Sequence, residues 1–166
     1  MTVWAELVGQ ESVVATLQAA VADARDGGPA MTHAWLFTGP PGSGRSNAAL
    51  AFAAALQCER GGCGECHSCT TAAAGSHPDI TVVSTDGLSI GTDVAREHVR
   101  KAALRPALGR WQVLVVEDAD RLTDQAANAL LKSIEEPSPH TVWMLCAPAA
   151  EDVLVTIRSR CRPVLL

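Results

Sequence analysis

Gly39-Pro40-Pro41-Gly42-Ser43-Gly44-Arg45-Ser46 matches a phosphate-cradling loop, G-x-x-x-x-G-K-[ST], at every required position but one: arginine stands where the pattern has lysine. The flanking residues supply the context that the motif needs. Ala34-Trp35-Leu36-Phe37-Thr38 is a short apolar run of the kind that forms a buried strand, and an alanine-rich helix is predicted from Asn47 to Leu56. Strand, glycine loop and helix in that order aim backbone N–H groups at phosphate oxygens. The helix N-terminus adds its partial positive charge, and the Ser46 hydroxyl could ligate magnesium. A glycine-rich turn that binds nothing is the plainer alternative, and the agreement of motif with context weighs against it. Arg45 changes the expected chemistry. Lysine is a compact point charge that reaches between the β- and γ-phosphates, whereas arginine is a larger planar fork that cannot fill the same slot. Its charge and the backbone amides permit weak binding of ATP or ADP with Mg2+, while geometry opposes fast hydrolysis.

Outward from this loop, helical and strand patterns alternate. Val13, Val14, Leu17, Ala20 and Val21 have helical spacing, and Gly27-Gly28 ends that helix before the first strand. Ile80 to Val83 reads as a second strand. Thr92 and Asp93 are expected to cap a helix carrying Val94, His98, Val99 and Ala102, and Gln112 to Val116 forms a third, strongly apolar strand. Thr123 caps the next helix, which runs through Ala127, Leu130, Leu131 and Ile134 to Glu135-Glu136 and stops at Pro137. A strand from Thr141 to Cys146, a short helix from Asp152 to Ile157 and a last strand at Val164-Leu165-Leu166 complete the pattern. Such alternation means an α/β fold with a central parallel sheet covered by helices on both faces.

The third strand ends in Glu117-Asp118. A phosphate-loop protein puts there one acid that holds magnesium and one that positions water, usually aspartate then glutamate. The order here is reversed, and two solvated acids at a strand end is an equally weighted reading. Cys58, Cys63, Cys66 and Cys69 follow C-x4-C-x2-C-x2-C spacing in one glycine-rich stretch. Four thiolates suit Zn2+ in a closed tetrahedron with no open coordination position, so the expected role is structural: metal binding would fold a loop with few apolar residues of its own. His67 and His77 are possible substitutes for one cysteine. Cys146, in an apolar strand, reads as a small packed hydrophobe.

The chain has 166 residues, 48% of them hydrophobic, which is enough for one good core and most simply a single domain. No stretch is long and apolar enough to span a membrane, and no basic-then-apolar signal opens the sequence; the expected compartment is cytoplasmic. A formal net charge of −5 argues against a surface that is basic overall, so contact with DNA would require a local patch or partner subunits.

Five features occur in one order: Val8-Gly9-Gln10-Glu11, the glycine loop, the four cysteines, the segment Asn128 to Pro137 containing Ser133-Ile134-Glu135-Glu136-Pro137, and Ser159-Arg160-Cys161. Together they resemble the bacterial DNA polymerase III clamp-loader AAA+ family over nearly the whole chain. The resemblance implies a RecA-like P-loop domain over residues 1–166 with a zinc module inserted at about 58–69. The lid and collar that family members carry after the Ser-Arg-Cys motif lie outside this sequence, and the isolated piece is expected to be monomeric or weakly associated. Motor subunits of the family, gamma and tau, keep the loop lysine, an Asp-Glu pair and a polar residue after the strand that ends here at Cys146. This chain has Arg45, Glu117-Asp118 and Ala147-Pro148. Three departures at one site point to the family's stationary, non-hydrolysing delta-prime branch. For that branch the resemblance implies that Arg160, on its own merely a surface arginine, is an arginine finger acting in trans on a neighbouring gamma/tau subunit's ATP. The other implied partners are the delta subunit and, through the complex, the sliding clamp and primed DNA. Two rival readings stay open: a gamma/tau-type ATPase that has accommodated the arginine, and a zinc-dependent nucleic-acid-binding module. Against the second, residues 58 to 69 hold one Lys or Arg side chain, Arg60, and no Phe, Tyr or Trp for stacking.

Overall fold

Strands whose residues are nearly all apolar need cover on both faces, and the architecture supplies it for the three central ones. The computed structural model describes residues 1–166. Five strands, β1 (Ala34–Thr38), β2 (Ile80–Val83), β3 (Gln112–Val116), β4 (Thr141–Ala147) and β5 (Arg162–Leu165), pair in parallel in the order β2-β3-β4-β1-β5. Six helices connect and cover them: α1 (Glu11–Asp26), α2 (Arg45–Gln57), α3 (His67–Ala73), α4 (Thr92–Ala102), α5 (Asp124–Glu135) and α6 (Val155–Arg158). No helix is long and apolar enough to cross a membrane.

Alternation along the strands sorts their side chains into two cores. Trp35, Phe37, Val113, Val115, Met144 and Cys146 face α1 and α2, while Leu36, Leu114, Val116, Trp143 and Leu145 face α4, α5 and α6. In the first core Trp35 meets Phe52 edge to face, with ring centroids 5.0 Å apart, an arrangement the ring quadrupoles favour. Alanines fill most of the remaining face of α2 and let that helix lie close to the sheet. Gly27 ends α1 in the left-handed conformation, its N–H bonded to the Asp23 carbonyl. Thr123 caps α5 by accepting from the Ala126 N–H at 3.1 Å.

Local readings need correction at several points, beginning with the last strand, expected at Val164-Leu165-Leu166, which runs from Arg162 to Leu165 because its backbone pairs with β1 from Trp35 onward. Gly91, not Thr92 or Asp93, is the N-cap of α4, and no side chain caps it. Ile90 is tied to the segment after β3, its N–H donating to the Arg121 carbonyl and its carbonyl accepting from the Thr123 N–H, so the chain turns into the helix one residue early. The short helix expected from Asp152 to Ile157 is two pieces, a 3-10 turn at Ala150–Asp152 and α6. The break falls at Val153, whose backbone is extended while its side chain is buried against the second core. Helix α3, unforeseen from its polar sequence, follows directly on the cysteines.

Candidate functional site

The glycine loop lies at the C-terminal end of β1 and leads into α2, with Gly44 as N-cap. Gly42 and Gly44 both have φ of 85°, a region that side-chain-bearing residues rarely enter. The Gly39 N–H donates to the Ala147 carbonyl at 3.4 Å, and the Pro40 carbonyl accepts from the Ser43 N–H at 3.0 Å, so the loop curls over the end of the sheet. Ser43 packs its Oγ onto Gly39 where a Cβ would sit, and that Oγ is buried without a partner. A buried orphan hydroxyl, open glycine backbone and the start of a helix together fit an anion. Arg45 fits less well. Its Nη1 donates to the Gly39 carbonyl at 2.6 Å, so the guanidinium is turned back on the loop.

The acids come from β3, one strand beyond β4. The Glu117 N–H continues the ladder by donating to the Val83 carbonyl at 2.8 Å, and the Asp118 carboxylate accepts from the Thr85 N–H at 3.1 Å. Cys146 lies buried on β4, between the strand that leads into the loop and the strand that leads into the acids. Burial pushes its thiol up to about 12; Arg45 and the Ser46 hydroxyl oppose that rise, and the Glu117 and Asp118 charges add to it. The Cys146 Sγ stands 4.0 Å from the Arg45 carbonyl, which ties the end of β4 to the start of α2. Asp118 is held by the loop after β2, and no polar side chain stands at Ala147, which is fully buried.

The four cysteines form a cluster whose Sγ atoms all lie within 4.8 Å of one another. Cys58 Sγ is 3.7 Å from both Cys63 Sγ and Cys66 Sγ. Thiolates about 2.3 Å from a tetrahedral zinc would stand roughly 3.8 Å apart, so the donor set fits such an ion. Backbone N–H groups of Arg60 and Cys63 point at Cys58 Sγ, those of Glu65 and Cys66 at Cys63 Sγ, and that of Cys69 at Cys66 Sγ. Burial pushes the Cys58 thiol up, but the N–H donors of Cys63, Gly62 and Arg60 outweigh it and bring it down to about 6. The N–H groups of Glu65 and Cys66 lower Cys63, whereas burial raises Cys69. His77 lies outside the cluster, with Nδ1 accepting from the Asp79 N–H at 3.1 Å.

Arg160 sits elsewhere. It follows α6 and precedes β5, so it lies toward the N-terminal ends of the parallel strands, whereas the glycine loop leaves their C-terminal ends. Its Nη2 pairs with Glu135 Oε1 at 2.7 Å, and its Nη1 donates to the Thr156 carbonyl at 2.6 Å. Sequence reading gave Arg160 a site role but quoted Glu135 only as a helix end and part of a motif, because helical spacing gives no sign that the last residue of α5 meets the end of α6. Val8, in the opening motif, is 86% exposed, and Gln10 is the N-cap of α1.

A family model described as DNA polymerase III, delta subunit, matches residues 9–166. The gamma/tau subunit of DNA polymerase III from Mycobacterium tuberculosis is 39% identical over 162 residues, covering 95% of this chain and 27% of that protein. The delta' subunit from Pseudomonas aeruginosa is 42% identical over 135 residues, covering 78% and 41%. The chain thus spans less than half the length of these curated relatives. Among solved structures, a DNA polymerase III gamma-subunit-related protein from Thermotoga maritima superposes with a TM-score of 0.70 at 23% identity, covering 91% of this chain and 45% of that one; this likeness is one of fold.

Proposed function

Because the chain belongs to the DNA polymerase III delta-subunit family of clamp-loader AAA+ proteins, we propose that it serves as a delta-prime-type stator. In this reading its own nucleotide pocket is vestigial, and Arg160 completes the ATP site of a neighbouring gamma/tau motor subunit while the loader places the sliding clamp on primed DNA. The observation that carries the reading is the separation of Arg160 from the glycine loop. β1 has 5 residues. At about 3.3 Å per residue its length alone puts roughly 15 Å between the two ends of the sheet, beyond the reach of one arginine side chain. An arginine that cannot serve its own loop is free to serve another's. A guanidinium so delivered neutralises charge developing on the γ-phosphate, an effect worth roughly 10³ to 10⁵ in rate in characterised fingers.

The pocket itself supports the same conclusion. Arg45 is engaged with Gly39, Asp118 with Thr85, and a buried alanine follows Cys146. The loop retains the amides and the hydroxyls of Ser43 and Ser46 that would hold phosphate and magnesium, so weak Mg-nucleotide binding is compatible with the absence of turnover. The four cysteines would hold a structural zinc, consistent with spacing, Sγ separations and a shell of N–H donors.

Replacing Arg160 with alanine in the full-length subunit, within a reconstituted loader, should depress DNA-stimulated ATPase activity; unchanged turnover would refute the finger. The 39% identity to a gamma/tau subunit over 95% of the chain favours a second reading, a motor subunit with an altered loop. Tight Mg-ATP binding in a calorimetric titration, followed by turnover that survives when the other ATP sites are disabled, would establish that alternative.

A further inference from the structure

The chain carries 13 Lys and Arg side chains and 18 Asp and Glu side chains, yet it contains a single ion pair, Arg160 to Glu135. That the sole pair falls on the proposed finger is the observation from which we infer that Glu135 is a positioning residue for Arg160. The inference rests on the finger reading given above.

Glu135 is the last residue of α5, where unpaired carbonyls and the negative end of the helix dipole disfavour a carboxylate, and Glu136 follows it. An acid there works against its own helix. Nor does the pair hold the fold together, since the two side chains are 42% and 38% exposed and such pairs contribute little to stability. What the pair does is fix a rotamer. Arginine ordinarily samples many side-chain conformations, but here Glu135 Oε1 takes one Nη2 hydrogen while the Thr156 carbonyl takes one from Nη1. Two acceptors on two different elements define the plane of the guanidinium. They leave the Nε–H and the other hydrogen of each Nη for phosphate oxygens. The elements bearing the acceptors are themselves rigidly placed, because Ile134 and Leu130 of α5 and Ile157 of α6 share the second core. Glu135 thereby reduces the ordering that Arg160 must undergo when charge develops on a neighbour's ATP.

The test uses the full-length subunit in a reconstituted loader, comparing Glu135→Ala, Glu135→Gln, Arg160→Ala and the double variant Glu135→Ala/Arg160→Ala. Glu135→Ala should lower kcat of the DNA-stimulated ATPase by about threefold to tenfold with KM for ATP unchanged, as expected when a catalytic group loses its orientation but not its charge. Glu135→Gln keeps an acceptor oxygen at the same reach and should recover most of the rate. In the double variant the alanine at 135 should add nothing to the loss caused by Arg160→Ala. Thermal midpoints of all four should stay close to that of the parent. If Arg160→Ala itself leaves turnover unchanged, the finger reading falls. If Arg160→Ala lowers turnover while Glu135→Ala does not, or lowers it equally in the double variant's background, the positioning role alone is overturned. A rise in turnover with Glu135→Ala also overturns it, since the pair would then be withholding the arginine.

Discussion

Single side chains carry much of the organisation around the candidate site. Asp79, just before β2, is 1% exposed and unpaired with any cation, yet its carboxylate accepts the N–H groups of Ala107, Leu108 and Gly109. Burial pushes its carboxyl up, but the Gly109, Ala107 and Leu108 donors more than offset this and hold it below the usual value of 3.8. His77 is lowered from 6.5 by burial itself, and its Nδ1 must stay unprotonated to accept the Asp79 N–H. For both groups the unfolded chain binds the proton more tightly than the folded one, so acid favours unfolding. Urea titrations should show stability falling as the pH drops through 6.5 and His77 and His98, both depressed by burial, are forced to protonate, then falling again below pH 3.8 with Asp79. Replacing His77 with a neutral residue should reduce the first decline to the part that His98 contributes. Asp79→Ala, which orphans three N–H groups, should cost about 3 kcal/mol. Arg45 has a different consequence. Arg45→Lys releases the Gly39 carbonyl and restores a point charge, and calorimetry should show Mg-ATP affinity rising about tenfold, or 1.4 kcal/mol. No change would mean that the loop backbone, not the side chain, limits binding.

Among the elements, the strands were the most legible, because continuous apolar runs bounded by Gly, Pro and polar residues have no other use in an α/β chain. Ile80–Val83 and Gln112–Val116 begin and end where the sequence indicates, and β4 runs one residue further, to Ala147. Helix starts were less so. α4 begins without a side-chain cap because pairing of Ile90 with the segment at Leu122 sets its entry, a contact that no local pattern announces. α3 is invisible for another reason: its seven residues, His67 to Ala73, have no apolar stripe, and the helix is anchored by Cys66, whose Sγ accepts the Cys69 N–H, and by the buried Cys69. At the site, loop and acids were readable because strand ends in a parallel sheet converge by topology. The Arg160–Glu135 pair, the Asp118–Thr85 contact and the clamp made by Gln57 were not, since each joins segments distant in sequence through side chains of ordinary type.

In the molecule as a whole, one sheet separates two cores, and the two candidate surfaces belong to opposite ends of it: loop and acids at one, Arg160 at the other. The cysteine module is appended to the first core through α2 and has little apolar substance of its own. Removal of the metal proposed there, by a chelator, should abolish protection of residues 58–73 in hydrogen exchange while Trp35 and Trp143, both fully buried, keep their native fluorescence. Simultaneous loss of both signals would make the module part of the global fold instead. Helix α2 links these regions mechanically. It starts in the glycine loop and ends at Gln57, whose side chain accepts from the Arg110 and Trp111 N–H groups and donates to the Trp111 carbonyl; the next residue is Cys58, its carbonyl gripped by Arg25. Its 13 residues make a beam. At 1.5 Å per residue the beam is about 20 Å long and clamped at its far end, so one rigid element joins the glycine loop to the cysteine cluster. Cobalt(II) placed among the four cysteines should therefore change its visible absorption when Mg-ATP is added at the other end of the helix, and an unchanged spectrum would mean that the two ends are uncoupled.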